Sequence, residues 1–186
     1  MELFWRQVRL GVGLDPDLPS LREHRAGMPL ACGMGEALPF AAQTFDLVIG
    51  LWVLEHLRQP ERVLVEIRRV LVPGGHVIFL TPNAHHPLLM ANRFSWAFPA
   101  VQRLLVPRLY GRAEADTFRV LYRANTRARL RTLAAETGYS IASLRTISDP
   151  TYLAFSDWSF FFSSALERLL PSGLYVHILG DWVASA

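Results

Sequence analysis

Lysine is missing from this chain altogether: all nineteen basic residues among its 186 are arginine. The simplest source of that bias is a GC-rich genome. Cysteine is nearly missing too. Cys32 stands alone, which excludes a disulfide within the chain and leaves no cysteine cluster for zinc. No stretch approaches the unbroken apolar length that a membrane-spanning helix needs. The opening MELFWRQ has neither the basic start nor the apolar run of a signal peptide. These absences together point to a reducing, cytoplasmic setting.

What is present is globular in character. Half of the residues (51%) are hydrophobic and 19% are charged, enough for one domain with a real core and too few residues for two. That single domain, 1–186, divides into a first half at 1–83, an arginine-rich insert at 84–124 and a C-terminal part at 125–186. The C-terminal part holds an aromatic insert at 150–173. The net charge of +3 is unevenly spread. From Arg93 to Arg131 nine arginines face only Glu114 and Asp116, a local excess of seven positive charges. Such a segment suits an anionic substrate or a lipid headgroup layer. No nucleic-acid-binding motif accompanies it, so no nucleic-acid partner is expected.

Strand and helix signals alternate through the first half, which argues a parallel sheet with crossover helices. RLGVGLD (9–15), MPLACG (28–33), TFDLVIGLW (44–52) and HVIFLTPN (76–83) read as strands. Between them, DPDLPSLREHRAG reads as a short helix stopped by Gly27. The stretch QPERVLVEIRRVLVPGG reads as a longer one, opened by Pro60 and stopped by Pro73-Gly74-Gly75. Its stripe is Leu64, Ile67 and Leu71, widened by Val63 and Val70. Later, Asn125 or Thr126 caps a helix whose stripe is Leu130, Leu133 and Ala134, and Gly138 ends it. YSIASLRTI and GLYVHILGDWV supply two further strands. In the aromatic insert, Phe161, Leu166 and Leu169 fall loosely on one helix face. Core packing and a lipid-facing lid both fit that spacing.

Four phrases in order, LPF (38–40), FDLV (45–48), VLEHL (53–57) and LVPGG (71–75), resemble the class I S-adenosylmethionine (SAM) dependent methyltransferases. The nearest branch is methyltransferase type 11, which includes ubiquinone-type O-methyltransferases. The likeness covers residues 8–83 well and 125–147 more loosely. It implies an α/β, Rossmann-like sheet with SAM lying across the carboxyl ends of the strands. Asp15 would then accept both ribose hydroxyls on its two oxygens. Met34 stands where the family's adenine-binding aspartate would be, so Gly35 and Glu36 would reach the adenine through their backbone amides. Leu51 and Trp52 would border the methionine portion.

The same resemblance makes Glu55 and His56 the catalytic candidates, because a Glu-His pair lies near the substrate in ubiquinone-type enzymes. An acidic residue joins that pair in the family, but here Trp52 occupies its position, so no metal site is implied. A structural pair at a helix start is the alternative reading of Glu55 and His56. His85 and His86 are second candidates at the same sheet edge. The implied acceptor is a small molecule or lipid-like compound, with contact to a membrane surface through the inserts. A non-catalytic module that binds a partner or membrane is the competing function.

One part of the family pattern has no counterpart. A first strand and a glycine-rich loop precede the strand ending at Asp15 in the family, whereas only fourteen residues precede Asp15 here. MELFWRQ resembles the tail of the helix that would link the two. The expectation is a sheet incomplete at the N-terminus, with its first central strand missing. A start codon placed too late, a decayed gene, or direct pairing of the two flanking strands would each explain it.

Overall fold

The protein is described by a computed structural model covering residues 8–23, 27–87, 89–90, 120–151 and 156–185, with backbone alone at Ser20 and Glu23. Its elements in chain order are β1 (Gly13–Asp15), α1 (Leu18–Glu23), β2 (Leu30–Cys32) and β3 (Phe45–Leu51), then a 3-10 turn at Leu54–His56. There follow α2 (Pro60–Val70), β4 (Leu71–Pro82), α3 (Arg127–Thr137), β5 (Tyr139–Ile147), α4 (Asp157–Leu169) and β6 (His177–Ala184). MELFWRQ, most of the arginine-rich insert and Tyr152–Phe155 lie outside the described residues.

The strands form two sheets. β1 and β2 pair in parallel, and β3-β4-β6-β5 make a four-stranded sheet. β3 and β4 run parallel, as the alternation predicts, but β6 is antiparallel to both of its neighbours, so the sheet is mixed. The reason is the route of the chain. Ile147 at the end of β5 pairs with His177 at the start of β6, so residues 148–176 leave and re-enter at one edge without crossing over. Pro82, the end of β4, pairs with the same His177. The segment containing α4 therefore springs from the edge at which β4 ends.

Two boundaries differ from the sequence reading. α2 stops at Val70, not at Pro73-Gly74-Gly75, because Leu71 turns extended (φ −77, ψ 141) and pairs with Phe45. The next pairs in register are Leu47 with His76, so Val72–Gly75 bulge out of β4. β1 is also shorter than predicted, since its partner β2 offers only three residues. Direct pairing of β1 with β3 does not occur: among the described residues each has a strand on one edge only. Ile49 and Leu51 of β3 stay exposed.

The core lies between the four-stranded sheet and the α2–α3 layer. Leu64, Leu71, Val77, Phe79, Leu130, Leu133, Tyr139, Ile178 and Trp182 form one buried cluster. Each such side chain contributes about 1.5–3 kcal/mol on burial. Phe79 meets Trp182 edge-on at 4.9 Å and lies across from Gly180 on β6. α3 begins where Thr126 accepts the Arg129 amide at 3.1 Å and ends at Gly138, whose φ of 79 suits glycine.

α4 is turned the opposite way. Its buried residues are Ser163 and Glu167, while Trp158 (81% exposed), Phe161, Phe162 and Leu169 (84%) face outward. Core packing by Phe161 and Leu169 is thereby overturned. The polar side is the inner one.

Candidate active site

Each cofactor candidate stands where its strand ends or in the loop that follows. At the end of β1, Asp15 Oδ1 accepts the Asp17 amide at 2.7 Å, closing the turn into α1. No other described residue hydrogen-bonds this carboxylate, so its second oxygen can receive a hydroxyl. After β2, Met34 and Ala37 form an isolated bridge, and Met34 is exposed. Gly35 sits against α2, where a Cβ would come 3.2 Å from Val63 Cγ1. Glu36 is half-buried beside it.

The sequence reading missed what holds this loop. Glu66 of α2 accepts the Leu38 amide at 3.1 Å, and Arg69 donates to the carbonyls of Phe40 (2.9 Å) and Leu38 (3.1 Å). Glu66 and Arg69 also pair with each other at 2.9 Å, and the guanidinium holds the Glu66 carboxyl below its usual range. A carboxylate and an arginine at i, i+3 on a helix read only as a surface pair. Their grip on the loop is a tertiary fact.

At the end of β3, Leu51 is exposed and Trp52 adopts φ 60. A tryptophan in the left-handed region is strained, and such strain gathers at functional positions. The Trp52 amide donates to Leu80 O at 2.9 Å, and its ring meets His177 edge-on at 4.8 Å.

Glu55 and His56 fall in the 3-10 turn, and they part company. Glu55 is 4% exposed. Thr81 Oγ1 donates to its Oε2 at 3.0 Å, and Asn125 Nδ2 donates to Thr81 Oγ1 at 2.6 Å. The amides of Leu121 and Tyr122 both donate to its backbone carbonyl. Glu55 thus ties the end of β3 to the end of β4 and to the chain entering α3. Burial pushes its carboxyl above the usual range, opposed by its own backbone amide and the Thr81 hydroxyl. His56 is half-buried alongside.

The second histidine pair also separates. Asn83 donates to the carbonyls of Gly173 (3.1 Å) and Tyr175 (2.8 Å), fixing the turn after β4. That turn leaves His85 exposed and sends His86 inside, 1% exposed. His86 Nε2 lies 3.5 Å from Glu167 Oε1 of α4. Nearby, His177 Nε2 lies 3.2 Å from Asp149 Oδ2. Glu167 was invisible as a site residue in the sequence, because a lone glutamate in an aromatic helix reads as its solvated side. No group of three or more His, Cys, Asp or Glu among the described residues converges to hold a metal.

Comparison with known proteins shows what the chain is similar to. Residues 2–79 match the family model of the methyltransferase domain. A ubiquinone biosynthesis O-methyltransferase of Parvibaculum lavamentivorans is 34% identical over 33% of this chain and 24% of its own length. A malonyl-[acyl-carrier protein] O-methyltransferase of Methylococcus capsulatus is 39% identical over 33% of this chain and 23% of its own. The fold is that of a putative methyltransferase from Bacillus halodurans, with a TM-score of 0.60 at 14% identity, covering 100% of this chain and 87% of that one. Residues 2–79 are thus similar to a methyltransferase domain, and the chain as a whole shares the fold of solved SAM-dependent methyltransferases. The aligned part spans about a fifth to about a third of the length of the first of these curated relatives.

Proposed function

We propose that this chain transfers a methyl group from SAM to a small-molecule or lipid-like acceptor. One observation carries the reading: Asp15, the Met34–Glu36 loop and Leu51–Trp52 all stand at the carboxyl ends of parallel strands, where open α/β sheets bind ligands. The chemistry of the residues fits the donor. Asp15 offers a carboxylate oxygen to a ribose diol, the loop pinned by Glu66 and Arg69 offers the Gly35 and Glu36 amides to an adenine edge, and Trp52 offers an apolar wall. SAM supplies an electrophilic methyl carbon, so the protein's task is to align the acceptor and to hold its proton. The relatives act on a quinone precursor and an acyl-carrier-linked malonyl group by their names, and the acceptor here belongs to the same broad range. Calorimetric titration with SAM tests the reading. Saturable heat supports it, and none from the folded chain removes it.

A second reading is favoured by α4. Its outward Trp158, Phe161, Phe162 and Leu169 suit a non-catalytic or membrane-bound module that docks through that face.

A further inference from the structure

We infer that His86, backed by Glu167, is the group that binds the hydroxyl or amine of the acceptor and takes up its proton. The inference rests on the methyl-transfer reading. Four elements bring ionisable groups together at the edge where β4 ends: His86 from the turn after β4, Glu167 from α4, His177 from β6 and Asp149 after β5. Trp52 borders them through its contact with His177.

Two independent observations point to a ligand. His86 Nδ1 has no hydrogen-bond partner among the described residues, and Nε2 has only the Glu167 carboxylate at 3.5 Å, although the side chain is 1% exposed. Native structures satisfy nearly all such groups, so orphans of this kind mark a polar occupant. The second observation is the inversion of α4, whose buried residues are Ser163 and Glu167. A helix that covers a sheet edge through polar residues can lift from it without exposing a large apolar surface.

Geometry divides the roles. His86 Nε2 faces Glu167, which leaves Nδ1 for the acceptor. Burial, helped by His177 nearby, holds His86 below the usual histidine range, so the ring is neutral and keeps a lone pair. Burial pushes Glu167 upward, opposed by the Ser148 hydroxyl and the Val176 amide. In the reaction the acceptor's oxygen or nitrogen forms its new bond to the methyl carbon with its own electron pair, as the carbon–sulfur bond breaks and the bonding pair of that bond stays on sulfur. The acceptor's proton passes to His86 Nδ1, and the Glu167 carboxylate balances the imidazolium.

The test needs no known acceptor. Ring-nitrogen resonances of His86 are followed in the full chain labelled with 15N-histidine, while phenol or anisole is titrated in. Phenol carries the required O–H, and anisole has the same ring without it. A saturable shift with phenol and none with anisole is expected, and Glu167→Gln weakens the phenol response about tenfold. Indifference of His86 to phenol, or equal response to both probes, overturns the inference. SAM calorimetry on the same sample separates the two readings. Donor heat without a phenol response removes the His86 site alone. A phenol response without donor heat supports the His86 site and counts against methyl transfer.

Discussion

The indole of Trp52 meets the imidazole of His177 edge-on, with centroids 4.8 Å apart and planes at 76°, and it does so from a backbone φ of 60. The contact joins the end of β3 to the start of β6 across β4, so it needs Trp52 in that conformation. A side chain other than glycine there costs of order 1–3 kcal/mol. Trp52→Gly relieves the strain and Trp52→Ala does not. The glycine variant is therefore more stable than the alanine variant by about 1 kcal/mol in urea unfolding, the reverse of their order in ordinary strands. Both lose the wall beside the proposed donor site, so both bind SAM more weakly by calorimetry.

Gly180 faces Phe79 across the β4–β6 pair, and a Cβ at Gly180 would fall inside the contact shell of that ring. Phe79 is fully buried against Trp182 and cannot step aside. Gly180→Ala is expected to destabilise the protein by about 1–3 kcal/mol, as overpacking does. A shift of the urea midpoint with unchanged slope checks it. A midpoint within error of the parent would show that the ring moves freely.

Periodicity was enough to read α3, whose stripe of Leu130, Leu133 and Ala134 faces the core, and most of α2: Val63, Leu64 and Val70 are buried, Ile67 is partly so, and Leu71 is buried from β4 and not from the helix. The strands ending at Asp15 and Leu51 were legible from the alternation of strand and helix, while the choice of Asp15, Leu51 and Trp52 came from the family resemblance. Three features were not legible. The antiparallel course of β6 depends on where residues 148–176 return, which no local pattern encodes. The start of β4 at Leu71 depends on pairing with Phe45, which overrides the stop signal in Pro73-Gly74-Gly75. The inner face of α4 depends on polar partners at the sheet edge, so the spacing of its apolar residues left core packing and an outward face both open.

Asp15 has two separable roles. Its Oδ1 closes the turn by accepting the Asp17 amide, and its second oxygen is proposed to hold a ribose hydroxyl. Asparagine keeps an oxygen for the turn but replaces the second acceptor with a donor. Asp15→Asn is expected to leave unfolding within about 0.5 kcal/mol of the parent while SAM affinity falls at least about tenfold, the loss of a charge-assisted hydrogen bond. Asp15→Ala loses both. Equal SAM affinity in the parent and the asparagine variant would remove the ribose role and leave only the turn.

The outward face of α4 predicts partition onto lipid. Trp158, Phe161, Phe162 and Leu169 lie at i, i+3, i+4 and i+11, one side of the helix, in a chain of pI about 9.5. Sedimentation with vesicles containing anionic phospholipid is expected to carry the protein down at low salt. Replacing Phe161 and Leu169 by serine should reduce the bound fraction severalfold while the fold stays intact by circular dichroism. Failure of the parent to bind at low salt would leave this stripe without a lipid role.

Glu55 gives a pH dependence whose sign is fixed by its surroundings. Burial raises its folded-state value above the ordinary 4.5, so the native protein holds this proton more tightly than the unfolded chain does. That contribution to stability is complete below about pH 4.5 and is lost as pH rises through the folded value. Glutamine is the neutral mimic, and its oxygen can still accept the Thr81 hydroxyl now given to Oε2. The stability of Glu55→Gln relative to the parent should therefore rise from about pH 4.5 upward and level off above the folded value. Glu167 is also raised by burial, but it is present in both proteins and cancels in the difference. Glu55→Ala separates charge from hydrogen bonding. It leaves the Thr81 hydroxyl without its acceptor and should cost about 1–3 kcal/mol relative to Glu55→Gln at every pH. Parallel curves for the parent and the glutamine variant would mean that Glu55 ionises as an ordinary surface carboxylate does, and the buried knot with Thr81 and Asn125 would then be open to water.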